Sequence, residues 1–306
     1  MTYLDCLSAA LGVLRVNAMG STEAKQKRGA VMGIFHCPGD GRNRIHYRWS
    51  WRPIASAAIV VLMLSFGFAN SSPAQKSADV ASFYSKLGGE SYGEGQYQEA
   101  IGYYEKSLAI NREALGEKHP EIANNYNNLG AAWHNLGESR KAIGYYEKAL
   151  AINREALGEK HPEIATNYNN LGAAWESLGN YRKAIGYYET SLAISREALG
   201  ERHSGTAIAY NNLGEAWHAL GQFQKALGYY EKALAIVSKA LGEKHPSTAM
   251  GYNNLGGAWD SLGQFQKAIG YYEKALAIFK ETLPKGHSKK RKLEANLAEA
   301  KKQQRR

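Results

Sequence analysis

The stretch AIGYYEKSLAINREALGEKHPEIANNYNNLGAAWHNLGESRK, residues 100–141, runs directly into AIGYYEKALAINREALGEKHPEIATNYNNLGAAWESLGNYRK, residues 142–183. These two blocks of 42 residues differ at six positions: Ser107/Ala149, Asn124/Thr166, His134/Glu176, Asn135/Ser177, Glu138/Asn180 and Ser139/Tyr181. Looser copies begin at Ala184, Ala226 and Ala268. A fixed period of this length marks units that bury their apolar face only against their neighbours, so the expected fold is a stacked array.

One unit can be read residue by residue. Pro120 suits the first position of a helix, where a missing N–H leaves no bond unmade. Ile122, Tyr126, Leu129 and Trp133 follow at spacings of three and four, which places them on one helical face. Leu136-Gly137 ends that helix. Ala142, Tyr146, Ala149 and Ala156 repeat the spacing in a second segment, flanked by Ile143, Leu150 and Leu157. Leu157-Gly158 stops it, and His161-Pro162 starts the next. Each unit is thus a pair of antiparallel helices. Gly130 and Ala142 allow close approach, while Tyr126, Trp133 and Tyr146 fill the core.

Leu129-Gly130, Trp133, Gly137, Ala142, Tyr146 and Ala149 resemble the tetratricopeptide repeat pattern, with Tyr126 where that pattern has tryptophan. The 42-residue period and the phrase LG-E-K-HP followed by NNLG are similar to the kinesin light chain type of repeat. Five units follow, with first-helix anchors Tyr84, Tyr126, Tyr168, Tyr210 and Tyr252. The fold class is therefore all-α: a right-handed α-solenoid of five antiparallel helix pairs with a C-terminal capping helix. Ser91 replaces the tryptophan of the first unit, which reads as an atypical end unit. Past Leu283-Pro284-Lys285-Gly286, Leu293, Leu297 and Ala300 suggest the helix that covers the fifth.

Three regions result: a basic leader over 1–74, the repeat array over 75–286, and a basic capping helix and tail over 287–306. Residues 1–74 carry eight Lys/Arg against three Asp/Glu, and residues 285–306 carry nine against two. The stretch between has 21 against 23, so the net charge of +10 sits at the ends and does not make the body a nucleic-acid binder. Both cysteines, Cys6 and Cys37, precede the array. In the leader, IASAAIVVLMLSFGFA at 54–69 has no charge, and Arg44, Arg48 and Arg52 precede it. This describes a signal peptide or a signal anchor, too short to span a bilayer comfortably. Cleavage would fall after Ser72-Pro73-Ala74 or Gly67-Phe68-Ala69, with Met19 or Met32 as alternative starts. The array is then exported, to the periplasm or the exterior, or anchored by 54–69.

The family resemblance places the first helices along a concave groove. Asparagine pairs follow the tyrosine anchors there: Asn127-Asn128, Asn169-Asn170, Asn211-Asn212 and Asn253-Asn254. Asparagine is a poor helix former, yet its amide offers a donor and an acceptor to the backbone of an extended peptide. Helices ~10 Å apart and a ligand rising ~3.3 Å per residue would bring one asparagine to every third ligand residue. Asparagines of adjacent units bonding one another is the structural alternative. His134, Glu176, His218 and Asp260 occupy a second groove position in the same units. Related arrays that clamp a C-terminal carboxylate use Lys and Arg in the groove; Asn124, Thr166, Ile208 and Met250 stand at the comparable place, so that clamp is missing.

His119, His161, His203, His245 and His287 recur at the period. Neighbours would lie ~10 Å apart, too far to share an ion held at ~2.1 Å, so they read as turn residues and not as metal ligands. No phosphate loop or nucleophile–base arrangement is present, and no enzymatic activity or cofactor is expected. The expected partner is a protein or peptide held in the groove. The alternatives are a structural scaffold that self-associates through its convex face and caps, or a tether in which the tail KKRKLEANLAEAKKQQRR holds an anionic membrane or polyanion; export disfavours nucleic acid.

Overall fold

The computed structural model describes residues 72–306. The apolar run at 54–69 and the alternative starts lie outside the described residues. Eleven helices run from α1 to α11 among those described: α1 Pro73–Gly93, α2 Tyr97–Leu115, α3 Pro120–Asn135, α4 Ser139–Leu157, α5 Pro162–Ser177, α6 Tyr181–Leu199, α7 Ser204–Ala219, α8 Phe223–Leu241, α9 Pro246–Ser261, α10 Phe265–Thr282 and α11 Ser288–Gln304. They pack in sequence, each against the next, which gives five antiparallel pairs followed by α11. The all-helical solenoid and its capping helix are as the period implies.

Helix boundaries follow from punctuation at two sites per unit. The histidines read as turn residues are, each of them, the N-cap of a first helix. His119 Nδ1 accepts from the Glu121 N–H at 3.2 Å, and His161, His203, His245 and His287 do the same two residues on. Proline opens α3, α5 and α9 directly after that cap. Glycines with positive φ recur every 21 residues from Gly95 to Gly263, alternating between the turn inside a pair and the turn between pairs. A side chain in that left-handed conformation would be strained, so glycine reverses the chain at each turn.

The core lies between the helices of a pair and the next first helix. Ile122, Tyr126, Leu129, Ala142, Tyr146 and Ala149 are buried, with Trp133 partly so. Ala156, expected on this seam, is exposed. It falls at the edge of the buried stripe in the last turn of α4, where Asn153 is buried instead. Close approach is enforced at one glycine per unit. A Cβ on Gly130 would stand 2.5 Å from the Tyr146 ring, and Gly88, Gly172, Gly214 and Gly256 face Tyr104, Tyr188, Tyr230 and Tyr272 in the same way.

Helix α11 keeps the period. His287 follows His245 by 42 residues, and Leu297 and Ala300 stand where Leu255 and Ala258 do in α9. Both are buried together with Leu293 against Ile278 and Phe279. Its other repeat positions are rewritten: Glu294 and Lys301 replace the tyrosine and tryptophan, and Lys301 pairs with Glu273 at 2.8 Å. Ala298 takes the glycine position, consistent with the lack of a tyrosine ring packed there. This is a first helix altered to cover its neighbour and face water.

Candidate functional site

The first helices α3, α5, α7 and α9 turn their tyrosine, leucine and tryptophan side inward and leave a second stripe outside the core. In α7 this stripe is Ile208, Asn211, Glu215 and His218, spaced three and four apart, and its counterparts recur in the other three. All eight paired asparagines, Asn127, Asn128, Asn169, Asn170, Asn211, Asn212, Asn253 and Asn254, are half-buried on this side.

Several of them are joined between units. Asn212 Nδ2 donates to Asn169 Oδ1 at 2.7 Å, and Asn254 Nδ2 to Asn211 Oδ1 at 2.9 Å. Between α3 and α5 the donor changes: Asn167, fully buried, reaches Asn127 Oδ1 at 2.9 Å. Asn167 itself accepts from Asn153 at 3.0 Å, and one unit earlier Asn111, Asn125, Ser107 and the Ala81 carbonyl form a buried chain of the same type. Alanine and glycine, Ala209 and Gly251, stand at this place in the last two units, so the buried polar seam ends at mid-array. Among the described residues, Nδ2 of Asn127 and of Asn169 is left without a protein partner, while Asn211 donates to Glu215 at 2.9 Å.

His134, Glu176, His218 and Asp260 lie in the last turns of their helices, all half-buried. His134 Nε2 faces Ser177 Oγ at 3.4 Å, and His218 Nε2 faces Ser261 Oγ at 3.0 Å, again one unit apart. Burial holds the His134 imidazole below its usual range. Burial pushes the Glu176 carboxyl upward; the Tyr188 hydroxyl, donating at 2.7 Å, opposes this, and the charge of Glu215 adds to it. Asp260 is pushed upward by burial and by Glu299. The structure thus brings the predicted residues into two rows across the first helices. Sequence reasoning missed Glu215 as a member of the site and did not weigh Ile208 and Met250 as contacts; their register with the stripe was the available signal.

The opposite side has its own regularity. Tyr126 pairs with Tyr145, and Tyr210 with Tyr229, with an ammonium above both rings of each pair or one of them, from Lys148 and Lys232. Lys141, Lys183, Lys225 and Lys267 lie 3.9–4.2 Å from the ring centres of Trp133, Trp175, Trp217 and Trp259. A lysine above each indole face holds second helix to first by cation–π attraction. A shallow pocket lined by Glu105, Arg112, Tyr126, Tyr145 and Lys148 opens between α2, α3 and α4. No group of three or more His, Cys, Asp or Glu among the described residues is placed to hold a metal ion. No described helix is long and apolar enough to cross a membrane.

The tetratricopeptide repeat pattern matches four overlapping stretches, residues 79–155, 126–197, 163–236 and 206–281. No curated protein matches the chain by sequence. Among solved structures it is similar to BtubC (BKLC) from P. vanneervenii, at 26% identity and TM-score 0.63 over 76% of this chain and 91% of that one. It is also similar to the nearly identical TPR-like repeats of a Podosopora anserina protein assigned to the kinesin light chains, at 28% identity and TM-score 0.58 over 67% of this chain and 97% of that one. A Rap protein complexed with competence and sporulation factor shares the fold alone, at 17% identity and TM-score 0.58 over 74% of this chain and 58% of that one.

Proposed function

Because the chain belongs to the tetratricopeptide repeat family, whose fold generally mediates protein–protein interaction, we propose that it holds an extended segment of a partner protein along the stripe of its first helices, without catalysing a reaction. The observation that carries this reading is the row of half-buried asparagines, one pair in each of the last four units, with Nδ2 of Asn127 and Asn169 still free. A fixed amide at each step suits a peptide backbone and is indifferent to the ligand's side chains. The Rap structure, a neighbour in fold, holds a second molecule, competence and sporulation factor. The test is cross-linking of the full chain in its native cell, beside a variant with Asn127, Asn169, Asn211 and Asn253 all changed to Ala and shown folded by circular dichroism. A partner held by the natural chain and lost by the variant supports the stripe; a partner held equally by both rules it out.

One feature favours a second reading for the end of the array. Helix α11 carries six lysines and arginines, four of them exposed, which suits an anionic surface. Changing the exposed Lys289, Arg291, Lys292 and Lys302 to Gln, combined with a salt titration against anionic vesicles, separates this tether from the stripe without removing the capping helix. The apolar run at 54–69 supports a place for this binding outside the cytoplasm, and fractionation of cells expressing the tagged chain tests that.

A further inference from the structure

Near-neutrality of the array conceals a separation of charge. The first helices α3, α5, α7 and α9 contain five carboxylates, Glu121, Glu163, Glu176, Glu215 and Asp260, and no lysine or arginine. Their partners α4, α6, α8 and α10 contain thirteen lysines and arginines against seven glutamates. Glu121 and Glu163 have a local reason, since acids in a first turn complement the helix dipole. Glu176 and Asp260 have the reverse: each is the penultimate residue of its helix, where the dipole repels a carboxylate. Both are half-buried, each lies within the field of another acid, and no ion pair reaches Glu176, Glu215 or Asp260 among the described residues. Glu176 and Glu215 each accept one neutral hydrogen bond, from Tyr188 and Asn211, but no cation of the described residues offsets the three charges.

Beside them lies exposed apolar surface. Ile208 is 54% exposed and Met250 44%, at the register where the preceding units have Asn124 and Thr166. Ile208 and Glu215 are seven residues apart on one stripe, ~10 Å along the helix axis, so a segment crossing the first helices obliquely meets an acid on one helix and an apolar side chain on the next about three to four residues apart.

We infer that this face takes a cationic segment of a partner protein, with a Lys or Arg set against Glu176 and Glu215 and an aliphatic or aromatic side chain about three residues away on Ile208 and Met250. The inference rests on the stripe being the binding face and adds the chemistry of what it binds. It also accounts for the row itself: a partner's cation relieves the repulsion that the free protein carries.

The test uses the full chain and three fluorescein-labelled peptide pools of about twelve residues, long enough to cross four first helices. One pool combines Lys/Arg with Leu/Phe, one Asp/Glu with Leu/Phe, and one Lys/Arg with Ser. By fluorescence anisotropy the first pool should bind about tenfold tighter than the second, with affinity falling as salt rises. The triple variant Glu176→Gln, Glu215→Gln, Asp260→Asn should lose that preference while remaining folded. Ile208→Ser with Met250→Ser should bring the first pool down to the third. Equal or tighter binding of the acidic pool, no binding of any pool, or an unchanged triple variant overturns the inference. Should binding be indifferent to charge yet be lost with the four asparagines, the stripe stands and only its charge preference falls. Should the cationic pool bind despite both sets of substitutions, the stripe itself is not the site.

Discussion

Gly172 and Gly186 are both helical and have opposite surroundings. A Cβ on Gly172 would meet the Tyr188 ring at 2.5 Å, whereas one on Gly186 meets nothing within 4 Å. Gly172→Ala should therefore cost about 1–3 kcal/mol through overpacking, and Gly186→Ala should gain about 0.5–1 kcal/mol from helix propensity and a stiffer unfolded chain; thermal unfolding of the two variants checks both signs. Glu176 makes a pH-dependent prediction. Burial first, and Glu215 after it, raise its carboxyl pKa in the folded state. The protonated form is thus favoured by folding, a contribution present in acid and lost as pH rises through the folded value. Glu176→Gln keeps an acceptor for Tyr188 and removes the charge, so it should raise Tm near pH 7 and do so less near pH 4. Solvent screening of a partly exposed group limits the gain to less than about 1 kcal/mol. The glycine at position 172 was legible in the sequence as part of Leu171-Gly172. Its tyrosine partner sixteen residues on was legible as core, but not as the ring that makes the glycine obligatory, because that depends on how closely the pair approaches.

Between elements, one ion pair repeats and one is missing. Lys118 meets Glu155 at 2.6 Å, Lys160 meets Glu197, and Lys244 meets Glu281 at 3.1 Å, always across 37 residues. At the junction of the third and fourth units the same positions hold Arg202 and Lys239, two like charges. Either could be reversed, and the helix dipole decides which is better. Lys239 lies in the last turn of α8, where a cation is favourable, and Arg202 lies just before α7, where an anion is. Arg202→Glu should gain both effects, about 0.5–1.5 kcal/mol together, while Lys239→Glu gains one and gives up the other and stays near zero. Chemical denaturation at low and high salt distinguishes them. The histidine caps give a second expectation at this scale. His161→Ala removes the acceptor for the Glu163 N–H and should cost about 0.5–2 kcal/mol, most of it restored by His161→Asp. Sequence reading placed these histidines in turns. It could not assign the cap, since histidine is uncommon there and only the geometry shows Nδ1 turned back onto the helix.

At the scale of the whole array, the period gave the number of pairs, their order and the turns, because each is written into residues close in sequence. The rungs between units were not legible in the same way. Asparagine at position 167 lies two residues before the expected pair, yet it displaces Asn170 as the donor to Asn127. Which of three neighbouring amides bridges two helices is settled by packing. The charge separation also escaped a reading by region, since first and second helices alternate along the chain and their opposite charges cancel in any long window. As the array binds its units by nearest-neighbour contacts, its ends should open before its middle. Hydrogen exchange should find α1 and α11 least protected and α5 through α8 most, and removal of residues 287–306 should expose Leu276, Ile278 and Phe279, lower Tm and promote aggregation. The blocks 100–141 and 142–183 share 36 of 42 residues, and each carries both halves of the bonds that cross from one block to the next: the asparagine rung and the Lys–Glu pair. A further copy of residues 142–183 placed after Lys183 would find a matching partner on either side. The chain is thus built from interchangeable bricks, and its span could grow or shrink by whole repeats, through duplication or loss of a DNA segment, without any junction having to be redesigned.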